Sequence, residues 1–199
     1  MNNKDLYLFD FDGTITNKDS FGHFFLKSFG LKHVLIKLLL NAPILIFTFL
    51  THKKKSKTKE FITSILLKGK TLNEIEKIGE YYYHHHLNDI LRSKAMVMIN
   101  KLKEEDSNNI WIVSASLDIW LKPFAKGLNV GLLCTEIEYK NAKFTGCFKS
   151  ANCKGPEKVN RIKKELNLKN FKNIISFGDS KGDLEMFNIS TQYNYKPFK

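Results

Sequence analysis

The chain has few of the residues that would take it out of the ordinary globular class. Its three cysteines, Cys134, Cys147 and Cys153, are odd in number and make no Cys-x-x-Cys pair. Neither a disulfide framework nor a zinc site is supported, and a reducing cytoplasm is the expected setting. Only 4 prolines occur in 199 residues, beside 43% hydrophobic and 26% charged residues, so nothing reads as disordered or low-complexity. No secretory signal is expected, because Asp5, Asp10 and Asp12 interrupt any apolar segment at the start. Acids are outnumbered, 20 against 32 Lys and Arg, for a formal net charge of +12. Such a surplus attracts anions in general, whether nucleic acid, anionic lipid or phosphorylated metabolites, and does not choose among them. The length suits one domain with room for an inserted subdomain.

What is present is concentrated in residues 6–16, LYLFDFDGTIT. The apolar run Leu6 to Phe9 predicts a buried strand ending at Asp10, with a second carboxylate at Asp12 and then Gly13. On a strand, residues i and i+2 share a face, so the spacing predicts both acids on one side of the strand's carboxyl end. Open α/β sheets bind ligands at that end. Two carboxylates there repel unless a cation sits between them. The plainer alternative is a strand running into an Asp/Gly turn.

After Thr16 the periodicity becomes helical. Asp19 or Ser20 caps a helix bearing Phe21, Phe24, Phe25 and Phe29, and Gly30 ends it. Residues 34–50 are apolar but interrupted by Lys37, Asn41 and Pro43, which predicts two short helices. Two readings remain open: a buried pair inside a helical subdomain, or an interfacial hairpin at a membrane. The second draws on the lysines that follow, at 53, 54, 55, 57 and 59, a cluster suited to an anionic leaflet. The run is too short and too interrupted for one spanning helix. His84, His85 and His86 are adjacent, so on a helix they point about 100° apart and do not face one ion.

From residue 93 strands and helices alternate, with strands predicted at 109–113, 130–134, 174–177 and 191–195 and a hairpin over 136–148. This is the pattern of an α/β, doubly wound parallel sheet. The core comprises 1–16 and 91–199, and residues 17–90 form an inserted helical cap. Three strands end alike, at Asp10, at Ser114 and at Gly178–Asp179. One sheet edge therefore gathers Asp10, Asp12, Ser114, Asp179 and Asp183. Oxygen-only ligation by carboxylates points to Mg²⁺ rather than zinc. A hydroxyl, a lysine and a metal are the parts that hold a phosphoryl group.

These pieces resemble, in order, the four motifs of the haloacid dehalogenase superfamily: DFDGT at 10–14, Ser114 in VSAS, a lysine in CKGPEK, and GDSKGD at 178–183. The insertion between the first two motifs resembles the class with a helical, C1-type cap on a Rossmann-like core. The stretches VSASLDIWLKPFA and TGCFKSANCKGPEKV are similar to the phosphoserine-phosphatase-like branch. The resemblance implies that Asp10 is the nucleophile, forming an aspartyl-phosphate, and that Asp12 is the acid and then the base. It implies Mg²⁺ on the side chains of Asp10 and Asp179 and the Asp12 carbonyl, with Asp183 supporting the metal or orienting the lysine. Gly13, Ser114 and Ala115 fall beside the phosphoryl group. The lysine is Lys158, with Lys154 as the alternative.

An acid at position 12 resembles the phosphatases, since the dehalogenases lack it and the cation-pumping ATPases carry threonine. Asp19 stands where phosphoserine phosphatases have a glutamate that touches substrate, and is equally a helix cap. The implied substrate is a small phosphorylated metabolite of the phosphoserine type. The apolar–basic stretch is also similar to phosphatidylglycerophosphatase C, which implies a lipid phosphate and an enzyme at the inner face of the membrane. A basic, non-enzymatic binding protein is a third reading. The intact acids argue against it, and no nucleic-acid partner is expected.

Overall fold

A computed structural model describes residues 4–51, 55–106 and 109–199. Five parallel strands lie in the order β3-β2-β1-β6-β7: β1 Leu6–Phe9, β2 Ile110–Leu117, β3 Gly131–Thr135, β6 Ile174–Gly178 and β7 Gln192–Tyr195. Central position explains the unbroken apolar run of β1, which is covered on both faces. Its side chains alternate between two cores. Leu6 and Leu8 join Ile162 of α8 (Pro156–Glu165) and Met186 and Phe187 of α9 (Leu184–Asn188). Phe9 faces the other way, stacked on Phe177 at 4.3 Å, in the core with α6 (Ser93–Asp106) and α7 (Asp118–Leu128). The sheet is thus doubly wound, with helices on both faces.

Between β1 and α6 the chain forms α1 (Ser20–Phe29), α2 (Leu31–Leu40), α3 (Ala42–Thr51), α4 (Lys55–Leu67) and α5 (Leu72–His85). Aromatic packing ties this insertion to the core, with Phe24 stacked on the fully buried Trp120 of α7 at 4.6 Å and edge-on to Tyr82 of α5. Helices α5 and α7 approach closely at Gly79, where a Cβ would stand 2.0 Å from the Ile119 carbonyl oxygen. The antiparallel hairpin β4 (Ile137–Lys140) and β5 (Lys143–Phe148) packs on α4, and the Phe148 N–H donates to Glu60 at 2.7 Å.

The break between α2 and α3 falls at Asn41, where the axes bend by 71°. Pro43 sits in the first turn of α3, where a missing N–H costs nothing. Burial of this pair is overturned: of its described side chains only Val34 is buried. Val34 and the partly buried Leu38 pack on the core, beside α1 and α4. Among the described residues no single helix is long and apolar enough to cross a membrane. Of the lysine cluster, Lys53 and Lys54 lie outside the described residues. His84 and His85 are exposed at the end of α5.

Candidate active site

The sheet register brings the site together. The Asp10 N–H donates to the Phe177 carbonyl at 2.8 Å, extending the β1–β6 ladder by one rung. Gly178 and Asp179 follow on β6, so the first and last carboxylate motifs become neighbours across one pair of strands. Asp10, Asp179 and Asp183 have carboxylate oxygens within 4.8 Å of one another. Gly13 has φ of +82°, and a Cβ there would stand 2.3 Å from Asp179 Oδ2. Glycine is required on both counts, the left-handed backbone and the close approach.

Lys158 is the lysine of the site. Helix α8 starts at Pro156 after Gly155, and its first turn carries Lys158 inward. Its Nζ donates to Asp10 Oδ1 and Asp183 Oδ1, each at 2.6 Å, and the side chain is 2% exposed. Burial alone would lower its pKa, but the two carboxylates outweigh burial and hold it charged. Asp183 accepts further bonds on Oδ2 from the N–H groups of Asp179 and Ser180 and the Ser180 hydroxyl. Burial opposes its charge, yet Lys158 and these donors bring its pKa below the usual value. Both Asp183 oxygens are thus engaged, so it fixes the loop and the lysine. The carboxylates of Asp10 and Asp179 lie beside that of Asp183. Burial raises Asp10 to about 7, against the opposing pull of Lys158. Lys154 lines the cavity wall, its chain against Gly182.

Asp12 lines the same cavity as Asp10, as expected, but strand period is not what puts it there. The chain leaves β1 after Phe9, and Asp12 belongs to a loop closed by the Thr16 N–H donating to the Phe11 carbonyl at 3.0 Å. The i, i+2 rule therefore does not apply, and the two acids have separate partners. Asp12 Oδ1 accepts from the Ser20 N–H at 2.7 Å, and its Oδ2 accepts from the Ser116 hydroxyl. Ser20 is the first residue of α1, whose N-terminal N–H groups lack helical partners and favour an anion. Asp19 caps the same turn, accepting from the Phe21 N–H at 2.8 Å, and also lines the cavity. Burial raises the Asp12 pKa, with Lys59 the main opposing influence.

Ser114 is buried within β2 rather than at its end, because the strand runs on to Leu117 through a register shift against β3. Ser114 and Ala115 line a cavity of about 930 Å³ together with Asp10, Asp12, Asp19 and Asp179.

Three groups of the site were not picked out in sequence. Ser116 lies two residues past Ser114 on one strand, a face-sharing signal available in VSAS. Ser20 reads in sequence only as a helix-cap candidate; its N–H donates to Asp12 and its hydroxyl lies 3.1 Å from that of Ser116. Lys59 comes from α4 into the cavity, donating to the Ala115 carbonyl at 3.2 Å, with its Nζ 4.8 Å from the Phe21 ring centroid. Burial lowers its pKa, while Asp12 and Asp19 pull the other way. In sequence it is one more lysine of the 53–59 cluster.

A shared sheet edge with a buried, lysine-bridged aspartate and a neighbouring pair of carboxylates defines a class. The family model for haloacid dehalogenase-like hydrolases matches residues 7–188. The chain belongs to that family. Protein CicA of Caulobacter vibrioides is 30% identical over 196 residues, covering 98% of this chain and 86% of that protein. A Bordetella pertussis Tohama I protein described as of unknown function superposes with a TM-score of 0.77 at 21% identity, over 96% of this chain and 89% of that one. A substrate-bound phosphoserine phosphatase shares the fold with a TM-score of 0.59 at 20% identity, over 97% and 86% of the two chains.

Proposed function

We propose that the protein is a Mg²⁺-dependent phosphomonoester hydrolase that acts through an aspartyl-phosphate on Asp10. The observation that carries this reading is the separation of the two acids. Asp10 lies against a charged lysine, which supports its reading as the nucleophile. Asp12 is held by Ser20 and Ser116, with a raised pKa that suits it to carry a proton. In the first step an Asp10 oxygen bonds to phosphorus, the ester P–O bond breaks, and Asp12 gives its proton to the leaving oxygen. In the second, Asp12 takes a proton from water, the water oxygen bonds to phosphorus, and the Asp10–phosphorus bond breaks to free inorganic phosphate. Ser114 and Lys158 bind phosphoryl oxygens.

The gathered carboxylate oxygens of Asp10, Asp179 and Asp183 are an all-oxygen donor set that fits Mg²⁺, and the family resemblance would add the Asp12 carbonyl to Asp10 and Asp179 as its ligands. Bound there, Mg²⁺ supplies neutralisation of phosphoryl charge. The substrate of first choice is a small phosphorylated metabolite of the phosphoserine type, supported by the opposite charges of Asp19 and Lys59 in one cavity. A lipid phosphomonoester is a second reading, favoured by the exposed apolar side chains of α2 and α3. The unpaired state of all three cysteines fits a cytoplasmic enzyme.

The test is phosphate release from a panel of soluble and lipid phosphomonoesters, with Mg²⁺ or with chelator. Release by wild type in Mg²⁺, abolished by chelator and by Asp10→Asn, is expected. If wild type releases no phosphate from any ester, the reading fails.

A further inference from the structure

Ten of the eighteen exposed large apolar side chains among the described residues lie between Leu31 and Leu50. Leu39, Leu40 and Leu50 are each at least 70% exposed. Scattered exposed apolar residues are ordinary, but a contiguous patch of this kind marks an interaction surface. Helix α3 carries no charged residue at all. Two uncharged polar side chains of the pair turn back on its own backbone, the Thr48 hydroxyl donating to the Ile44 carbonyl at 2.8 Å and the Asn41 amide to the Lys37 carbonyl at 2.9 Å. An apolar medium around the pair would therefore leave these donors satisfied.

Charge selects the medium. From Ser20 to Lys59 the sequence has eight lysines and no aspartate or glutamate. Lys32 and Lys37 are exposed on α2 itself. A second copy docked through this face would bring like charges together, whereas an anionic lipid surface is complementary to it. Geometry selects the mode. Each helix has ten residues, about 15 Å of rise, against a hydrocarbon core of about 30 Å. The two meet at a 71° bend and so do not form one straight helix.

We infer that the α2–α3 pair is a docking surface for an anionic lipid bilayer, on which it lies with its apolar side chains in one leaflet. The Lys59 helix, α4, packs against both α2 and α3, so the bilayer would lie one helix away from the catalytic cavity. The inference goes beyond the hydrolase reading and does not depend on it.

The experiment is co-sedimentation of the full chain with vesicles of phosphatidylcholine, alone or with roughly one part in three of phosphatidylglycerol, at about 0.05 M and about 0.5 M salt. Wild type should pellet with the mixed vesicles at low salt, and at least about tenfold less with neutral vesicles or at high salt. Leu40→Glu/Phe49→Glu should lower vesicle binding at least about tenfold, because each side chain carries about a tenfold in partition. Both side chains are more than 60% exposed, so thermal unfolding and turnover of a soluble ester should stay as in wild type. Lys32→Gln/Lys37→Gln, which leaves the apolar face intact, should weaken binding to the mixed vesicles alone. Asp10→Asn should keep full vesicle binding, which separates failure of docking from failure of the hydrolase reading. Absence of wild-type binding, equal binding to neutral vesicles, or unchanged binding by both double variants overturns the inference. So does self-association that Leu40→Glu/Phe49→Glu abolishes when no vesicle is bound; the face would then belong to a second copy.

Discussion

Lys158→Met is the substitution that most directly tests the electrostatics of the site. The lysine bridges two carboxylates at 2.6 Å, and the three side chains are 2%, 10% and 1% exposed. Methionine keeps much of the volume and removes the charge, leaving two buried carboxylates without their cation. Breaking a buried pair in this way costs roughly 3–5 kcal/mol. For a chain of this size that is a fall in Tm of about 6–20 °C. The deficit should depend on pH. Without the lysine, the Asp10 pKa rises above its already raised value of about 7. A carboxyl whose folded pKa lies above its unfolded value of about 3.9 loses stability as pH rises between the two. Wild-type Asp10 shares that loss up to about 7, so its part of the deficit opens above that pH and grows on the alkaline side. Mg²⁺ should recover part of the lost stability by supplying positive charge, while phosphate release stays lost. Thermal melts across pH, with chelator and with Mg²⁺, read all of this. The exposed Lys154, substituted in the same way, is the control and should melt as wild type. A Lys158→Met melt within about 2 °C of wild type at all pH values would refute the reasoning, since it would mean that no buried charge had been left uncompensated.

Three further outcomes follow from the same geometry. Gly13→Ala places a Cβ against Asp179 at a left-handed φ. It should cost about 1–2 kcal/mol of stability and weaken Mg²⁺ activation, checked by a melt and a metal titration. Ser116→Ala removes a donor to Asp12. It should lower kcat about 10- to 100-fold with KM little changed, and Ser116→Thr should restore part of the loss. Lys59→Met removes the insertion's charge from the cavity and should raise KM for a soluble phosphomonoester about tenfold while kcat falls less. Equal loss in both parameters would assign Lys59 to the chemistry instead.

Local pattern was enough for much of the fold. The apolar run of β1, the three matching strand ends and the alternation after residue 93 all report on neighbours in sequence, through strand period and turn chemistry. The parallel sheet follows from that alternation, and with it the expectation that Asp10, Ser114 and Asp179 meet at one edge. The choice between Lys158 and Lys154 was already narrowed by the resemblance to the phosphoserine-phosphatase-like branch.

Tertiary structure decided the rest, because the missing facts concern contacts between segments far apart in the chain. Asp12 pairs with Ser116, 104 residues away, and with the first N–H of α1. Periodicity along β1 carries no record of either, since the strand ends at Phe9 and Asp12 lies in the loop beyond it. Lys59 differs from its neighbouring lysines only in the direction that α4 gives it. The exposure of α2 and α3 is likewise invisible in composition, since an apolar helix reads the same whether another helix covers it or not. The sequence by itself determined the sheet, its catalytic edge and the family. Three-dimensional packing alone determined what holds Asp12, that Lys59 enters the cavity, and that the apolar pair is left uncovered.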